Sequence, residues 1–168
     1  MTIQHLTVAG ESVTIRPIQL TDAAREAEFV RALSPKTKHF RFFGGVRELS
    51  PAEIKRLCTV DGCHSMAFIA TTRKNGQDIE IGVSRYAPDA HDDIREMAIA
   101  VADDWQSKGL DALLMQPLIT AAKENGVKQL YSIDLADNAA MQALAGKLGM
   151  RSSRDPNDPH QVIYSLSI

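Results

Sequence analysis

Strand-type and helix-type spacings of apolar residues alternate along the chain. Residues 2–8 and 12–18 are rich in β-branched side chains and flank Ala9-Gly10-Glu11, which predicts a β-hairpin. A glycine pair, Gly44-Gly45, breaks the helical region that follows. Three helices are predicted there by apolar spacing or by N-cap signals such as Ser50-Pro51-Ala52-Glu53: residues 23–33, a short helix from Pro35 and a helix from Pro51.

The middle of the chain predicts three consecutive strands. Residues 65–73 and 78–86 flank Asn75-Gly76, the strongest short signal of a hairpin. Residues 95–101 are apolar on both faces. Such a strand is typical of the centre of a sheet that is covered on both sides.

The last part of the chain alternates helix and strand. A continuous apolar face predicts a helix over residues 109–125, in which Pro117 should produce a kink unless the freed Leu113 carbonyl finds another donor. A strand at 129–135, a helix capped by Asp137 or Asn138 and a strand at 162–168 complete the pattern.

This order of elements predicts an α/β fold of the α+β kind. A hairpin meander followed by β-α-β-α-β implies one central mixed β-sheet flanked by helices on both faces. A length of 168 residues fits a single domain, 1–168.

Composition narrows the classes of function. The net charge of −2 provides no overall field that would recruit nucleic acid or a membrane. No apolar run approaches the roughly 20 residues needed to cross a bilayer, and the N-terminus lacks a signal-peptide pattern. We therefore expect a cytoplasmic protein without nucleic-acid or membrane partners.

Two segments have a composition that suggests a ligand, but each has a simpler interpretation. Cys58, Cys63 and His64 have a spacing that is unusual for zinc, so two reduced thiols and no metal are expected. Residues 36–43 mix basic and aromatic side chains, as in base-stacking grooves. Because phenylalanine is mostly a core residue, a helix packed onto the sheet is the preferred interpretation.

Glu96 is the candidate catalytic residue. A carboxylate at the start of a doubly covered strand is costly unless it is paired or neutral. Burial would disfavour its ionised form and make it a useful general base near neutral pH. A salt bridge with Arg85 or Arg95 explains the residue equally well at this stage.

The loop after the same strand is the candidate anion site. A strand that passes through a glycine-bearing loop into a helix N-terminus presents several backbone N–H groups together with the positive end of the helix dipole. Six residues form this loop and could hold a pyrophosphate: Gln106, Ser107, Lys108, Gly109, Leu110 and Asp111. One glycine is a weak motif, and an ordinary strand-to-helix turn is the commoner explanation of the spacing alone.

Several segments together resemble the GNAT N-acetyltransferase superfamily. Val101 followed by Gln106-x-x-Gly109 is similar to its acyl-CoA-binding core, and Asn138 with Leu144 and Lys147-Leu148-Gly149-Met150 is similar to its Asn-x₅-Leu…Gly-Phe segment. Closer similarity to the acetyltransferase domain of bacterial protein lysine acetyltransferases comes from six further segments: Arg16-Pro17-Ile18, Leu33-Ser34-Pro35, Arg41-Phe42-Phe43, Glu48-Leu49-Ser50-Pro51, Arg85-Tyr86 and Asp103-Asp104-Trp105-Gln106.

The resemblance implies acetyl-CoA as co-substrate and an amine as acceptor, either a protein lysine or a small amine. Glu96 aligns with the family's catalytic glutamate and would deprotonate the acceptor, while a backbone N–H of its strand would stabilise the oxyanion. The implied coenzyme-binding residues are the strand residues Ile99, Ala100 and Val101, the loop 106–111, and Asn138.

Two departures from the family pattern leave alternatives open. Asp111 stands where the family has a small residue, and a carboxylate there would repel the ligand if it points inward. Ala145 stands where many members have a tyrosine general acid. A CoA-binding sensor without turnover and a nucleic-acid-binding module that uses residues 36–43 are therefore the rival hypotheses.

The acceptor is the least determined feature. Asp89, Asp92 and Asp93 lie in a loop ahead of the central strand and could attract a cationic acceptor, although a solvated loop is the commoner explanation. The sequence leaves the acceptor, the acyl preference and the oligomeric state open, a homodimer included.

Overall fold

The computed structural model describes residues 3–43 and 48–168. The break predicted at Gly44-Gly45 lies outside them. Eight strands form one sheet in the order β1-β2-β3-β4-β5-β6-β8-β7. The strands are β1 (Gln4–Val8), β2 (Glu11–Pro17), β3 (Met66–Lys74), β4 (Gln77–Pro88), β5 (Ile94–Val101), β6 (Gln129–Leu135), β7 (Arg151–Arg154) and β8 (Gln161–Ser167).

Within the described residues, five α-helices cover the two faces of this sheet. They are α1 (Ala23–Ala32), α2 (Pro35–Phe42), α3 (Pro51–Cys58), α4 (Leu110–Glu124) and α5 (Ala139–Leu148). Three predicted N-caps are confirmed, because the side chains of Ser34, Ser50 and Asn138 each accept a hydrogen bond from a backbone N–H in the first turn of α2, α3 and α5. Each such cap contributes roughly 1 kcal/mol.

The core consists of two apolar layers, one on each face of the sheet. Residues of α4 and α5 such as Leu114 and Leu144 pack on one face together with Met97 and Leu130 of the sheet. Residues of α1 and α3 pack on the other face together with Val83, Ala100 and their neighbours. The predicted mixed sheet with helices on both faces is therefore confirmed.

Helix α4 approaches the sheet closely where β4 carries a glycine. A Cβ on Gly82 would lie 2.8 Å from Leu114 Cδ1 and 3.2 Å from the Ala100 carbonyl oxygen, so a larger residue would force at least the Leu114 side chain to move. The Ser84 hydroxyl donates to the Leu114 carbonyl at 2.8 Å. The helix continues through Pro117. Ser84 therefore bonds the carbonyl of Leu114, which is next to the Leu113 carbonyl that we expected Pro117 to free.

The only parallel pair among the described strands is also the shortest ladder of the central sheet. Strands β5 and β6 pair from Ile94 with Gln129 to Glu96 with Tyr131. Both strands then continue without pairing to each other, β5 to Val101 and β6 to Leu135. A gap therefore opens between two central strands.

Strand β7 was missed, because its Arg-Ser-Ser-Arg sequence is exposed throughout and has no apolar alternation. The expected packing of α2 onto the sheet is confirmed in part. Helix α2 contacts β5 and β6, and its partly buried Phe42 packs against the core layer of α1 and α3, but no residue of this helix is fully buried. Phe43 is 47% exposed, and Phe40 lines a cavity instead.

Candidate functional site

The gap between β5 and β6 is the floor of a cavity of about 260 Å³. Both strand edges line it, as do helix α2, the segment before α4 and the start of α5. The last paired position, Glu96 opposite Tyr131, closes one end. The predicted anion loop lies at the other end, so the two candidate sites from the sequence belong to one cavity.

Glu96 lines the closed end of the cavity, but its environment differs from the expected one. Its side chain is exposed, because it points to the α1–α3 face at a place where only α2 covers the sheet. The expected burial is therefore wrong. The expected salt bridges are wrong as well, since Arg85 pairs with Glu26 at 2.8 Å and Arg95 donates to backbone carbonyls.

Arg41 of α2 enters the cavity from the same face. Burial, aided by the positive charge of Arg85, lowers the pKa of its guanidinium to about 10. Glu26, Glu96 and Asp134 act in the opposite direction and favour its charged form. The Arg41 cation thus lies among carboxylates at the closed end of the cavity.

Ser132 and Asp134 line the cavity from β6. They alternate with Leu130, which packs beneath α4 and α5, so both side chains point to the face opposite to Glu96. The Ser132 hydroxyl donates to Asp134. Burial raises the pKa of the Asp134 carboxyl, which Arg41 opposes, as do the hydrogen bonds from Ser132 and Asn138.

In the loop at the open end, two of three consecutive residues have a left-handed backbone conformation. Ser107 has φ 61° and Gly109 has φ 80°, and Gly109 is the N-cap of α4. Such a conformation turns successive backbone N–H groups to one side, and the positive end of the α4 dipole adds to their field. The geometry suits an anion such as a phosphate.

Gln106 and Asp103 join this loop to α2. The Gln106 amide donates to the Val101 carbonyl and to the Thr37 hydroxyl, both at 3.1 Å. Asp103 accepts from the Ser34 N–H at 2.9 Å and from the Thr37 hydroxyl at 2.8 Å. These polar contacts, together with the packing of Phe42, hold helix α2 on the sheet.

The predicted site residues fall into two groups. Seven of the predicted binding residues line the cavity: Ile99, Ala100, Val101, Gln106, Ser107, Asp111 and Asn138. Three do not: the Lys108 ammonium lies over the Trp105 ring at 4.9 Å from its centroid, Gly109 supplies only backbone, and Leu110 is buried in the core.

Sequence reasoning missed Arg41, Ser132, Asp134 and Thr37 as cavity residues. A signal existed for two of them, because polar residues at alternate positions of a central, otherwise apolar strand are unusual. For the α2 residues the basic and aromatic composition was noticed, but it was interpreted as packing.

Asp111 borders the cavity, and its side chain is 26% exposed. It lines the cavity wall in the first turn of α4, and its Oδ1 lies 3.9 Å from the Lys147 ammonium of α5. This exposed cation partly offsets its charge.

The acidic loop ahead of β5 approaches the closed end from outside. Asp89 forms a hydrogen bond with Tyr131, the residue opposite Glu96, and this bond lowers the pKa of Asp89. Burial raises the pKa of Tyr131, and the bond to Asp89 raises it further. Negative charge is thus concentrated where the paired part of β5 and β6 ends.

Comparison with known proteins gives a consistent picture. The family model described as "Acetyltransferase (GNAT) domain" matches residues 12–151. An acetyltransferase of Pseudomonas aeruginosa, PA5475, is 45% identical over 159 residues, which is 95% of this chain and 86% of that protein. Acetyltransferase Pat of Mycolicibacterium smegmatis is 30% identical over 141 residues, but that match covers 83% of this chain and only 41% of Pat.

The fold has a close counterpart among solved structures. The GNAT domain of S. lividans PAT superposes with a TM-score of 0.87 over 99% of this chain and 97% of that one, at 23% identity. At this identity the likeness concerns the fold alone.

Within the described residues, no helix is both long and apolar enough to span a membrane.

Proposed function

The chain belongs to the GNAT acetyltransferase family, and from this premise we propose that it transfers acetyl from acetyl-CoA to a primary amine in the cavity between β5 and β6. The acceptor is a protein lysine or a small amine, and Glu96 is the general base. The observation that supports this most is the position of Glu96 at the closed end of the gap between two central strands.

The gap itself supports a binding mode for the coenzyme. From Met97 to Val101 the β5 edge has no ladder partner on β6, so its backbone groups need partners from another source. An extended pantetheine chain carries two amides and can pair with such an edge as a further strand would. Ile99, Ala100 and Val101 would lie beside it, and Asn138 would face it from the start of α5.

The anion loop supports the placement of the pyrophosphate. The backbone N–H groups from Gln106 to Asp111 and the N-terminus of α4 favour a negative group at the open end. The thioester would then extend toward the closed end. This direction brings the reacting carbonyl to Glu96.

The residues at the closed end can perform the chemistry of acyl transfer. Glu96 can accept a proton from the acceptor ammonium, directly or through a water, so that the amine attacks. A free backbone N–H of β5 can stabilise the oxyanion, because it is fixed before the reaction. The negative charge of Asp89 and Glu96 favours a cationic acceptor over an anionic one.

Two measurements on the purified chain test the proposal. Acetyl-CoA should raise the melting temperature, and thiol release should be detected with at least one member of an amine panel that includes lysine peptides and polyamines. Coenzyme binding without thiol release from any amine would favour a sensor without turnover. Absence of binding heat at millimolar acetyl-CoA would contradict the proposal as a whole.

Asp111→Asn should strengthen acetyl-CoA binding by about two- to fivefold, since a charge near a helix N-terminus contributes about 0.3–1 kcal/mol. The carboxylate faces the cavity at the helix end proposed for the pyrophosphate, and its removal relieves repulsion of the phosphates. The same change should lower the melting temperature of the unliganded protein, because Asp111 stabilises the α4 dipole. Calorimetry at low and high salt checks the effect, which should shrink as salt screens it.

Asp104→Asn is the matched control for this prediction. Asp104 is exposed just ahead of the same loop and does not line the cavity. Equal affinity gains in both variants would mean that only net charge matters. No gain in Asp111→Asn would mean that the phosphates do not bind near this turn.

A further inference from the structure

Transfer from a thioester is assisted by a proton at the departing sulfur as well as by a base at the attacking nitrogen. The C–S bond breaks as the C–N bond forms, and the departing sulfur is a thiolate unless a group protonates it. A free thiol has a pKa of about 8.5, so protonation lowers the barrier near neutral pH. Ala145 is buried among the apolar residues of α5 and offers no proton.

The position of the sulfur follows from the shape of the gap. The thioester carbonyl must lie within reach of Glu96, at the last paired position of β5 and β6. Ser132 is the first residue of β6 beyond that position, which places it about 3.3 Å further along the strand. Its side chain is 5% exposed, and it lines the cavity.

Ser132 and Glu96 lie on opposite faces of the sheet. Glu96 alternates with Ala98 and Ala100, and Ala100 packs under α1 and α3. Ser132 alternates with Leu130, which packs under α4 and α5. A carbonyl in the gap therefore has Glu96 on one side and the Ser132 hydroxyl on the other. Glu96 can accept a proton from the attacking nitrogen while Ser132 donates one to the leaving sulfur.

Asp134 can supply the hydroxyl with a proton. The two side chains share a hydrogen bond on the same cavity wall. When Asp134 is protonated, its O–H can donate to the Ser132 oxygen, which leaves the Ser132 hydroxyl free to donate to the sulfur. Burial raises the pKa of its carboxyl and thus favours the protonated form. The charged and titratable groups that face it are Arg41 from α2, which acts in the opposite direction, and Tyr164 from β8.

We propose that Ser132 and Asp134 form a relay that protonates the leaving thiolate. The acceptor ammonium first loses one proton to Glu96, which passes it to solvent. The amine nitrogen then bonds to the acetyl carbon and loses a second proton to Glu96, while the C–S bond breaks. The Ser132 hydroxyl gives its proton to the sulfur and takes one from the Asp134 carboxyl, which solvent then reprotonates. The relay rests on the proposed function, in which the thioester occupies the gap.

The test compares acetyl-CoA with its selenoester analogue, because a selenolate leaves without a proton at neutral pH. Ser132→Ala and Asp134→Asn should each lower kcat with acetyl-CoA by about 100-fold, with an unchanged KM for the donor. With the selenoester both variants should come within about threefold of the parent chain, as expected when only protonation of the leaving group is lost. Ser153→Ala, an exposed serine of β7, should match the parent chain with both donors.

Each other result contradicts the relay. A wild-type kcat with acetyl-CoA in both variants would show that no relay is needed. The same deficit with both donors would show that the two residues only support the structure, for example through Asn138 at the start of α5. If the parent chain itself releases neither thiol nor selenol with any amine, the proposed function fails and the relay fails with it.

Discussion

Glu96→Gln is expected to lower turnover by about 100- to 10,000-fold, the usual contribution of a general base. Glutamine keeps the shape of the side chain but cannot accept the proton of the acceptor ammonium. Glu96 lies at the closed end of the cavity, away from the anion loop at the other end, so the change should not weaken coenzyme binding. The measurement is thiol release at saturating acetyl-CoA, together with the thermal shift that acetyl-CoA produces.

Glu124→Gln provides the matched control for this prediction. Glu124 is exposed at the end of α4 and lies outside the cavity, so its replacement should leave both readouts unchanged. Turnover within a few-fold of the parent chain in Glu96→Gln would show that another group accepts the proton. Loss of the thermal shift would instead show that Glu96 contributes to binding.

Arg85→Met is expected to destabilise the fold by about 3–5 kcal/mol at neutral pH, the range for breaking one partner of a buried ion pair. Arg85 donates to Glu26 at 2.8 Å and to the Leu57 carbonyl at 2.8 Å. The side chains of Arg85 and Glu26 are 12% and 2% exposed. Glu80 lies in the same layer, and neither of its carboxyl oxygens has a hydrogen-bond partner among the described residues. Without the guanidinium, the buried Glu26 carboxyl group would lose its ion-pair partner.

The stability of the protein should fall with rising pH because of Glu80. Burial raises the pKa of Glu80 well above its usual range, and the nearby Glu26 raises it further, whereas Arg85 lowers it. The folded state therefore holds this proton more tightly than the unfolded chain does, so stability falls as pH rises above about 4.3, the ordinary glutamate pKa. The Glu80 pKa is raised to about 10, and removal of Arg85 raises it further, so Glu80 stays protonated in both folded chains at pH 5 and at pH 8. The two chains should therefore lose stability in parallel, and the deficit should be the same at the two pH values. Urea unfolding at the two pH values measures it.

Arg31→Met is the control for the buried pair. Arg31 and Glu28 form an ion pair in which the side chains are 57% and 70% exposed, so its loss should cost at most about 1 kcal/mol. An equal effect in the two arginine variants would contradict the assignment of Arg85 to a buried, structurally important pair. Partial recovery in the double variant Arg85→Met, Glu26→Gln is also expected, because the neutral amide needs no cation.

The sequence predicted those parts of the fold that depend on neighbours along the chain. The helix starts at Ser34, Ser50 and Asn138 follow from a side chain and an N–H three residues away. The hairpin at Asn75-Gly76 follows from the two residues of the turn. Strand β5 was placed at the centre of the sheet from its own apolar residues, and it lies between β4 and β6.

The site was only partly predictable, because its residues come from distant segments. The sequence indicated Glu96 and the loop after β5, since both lie on one continuous stretch. It did not indicate that Arg41 would reach the same cavity from α2, or that Ser132 and Asp134 would line it from β6. It also predicted a buried Glu96, because the apolar run does not show which helices cover each part of the sheet.

By itself, then, the sequence determined the elements, their caps and the mixed sheet, since hydrophobic periodicity and capping act over a few residues. Only the tertiary structure decided that β5 and β6 separate after Glu96 and that acidic, basic and hydroxyl groups meet around the gap. The physical reason is that strand pairing and helix docking join residues far apart in the chain, and their geometry depends on the packing of the whole sheet.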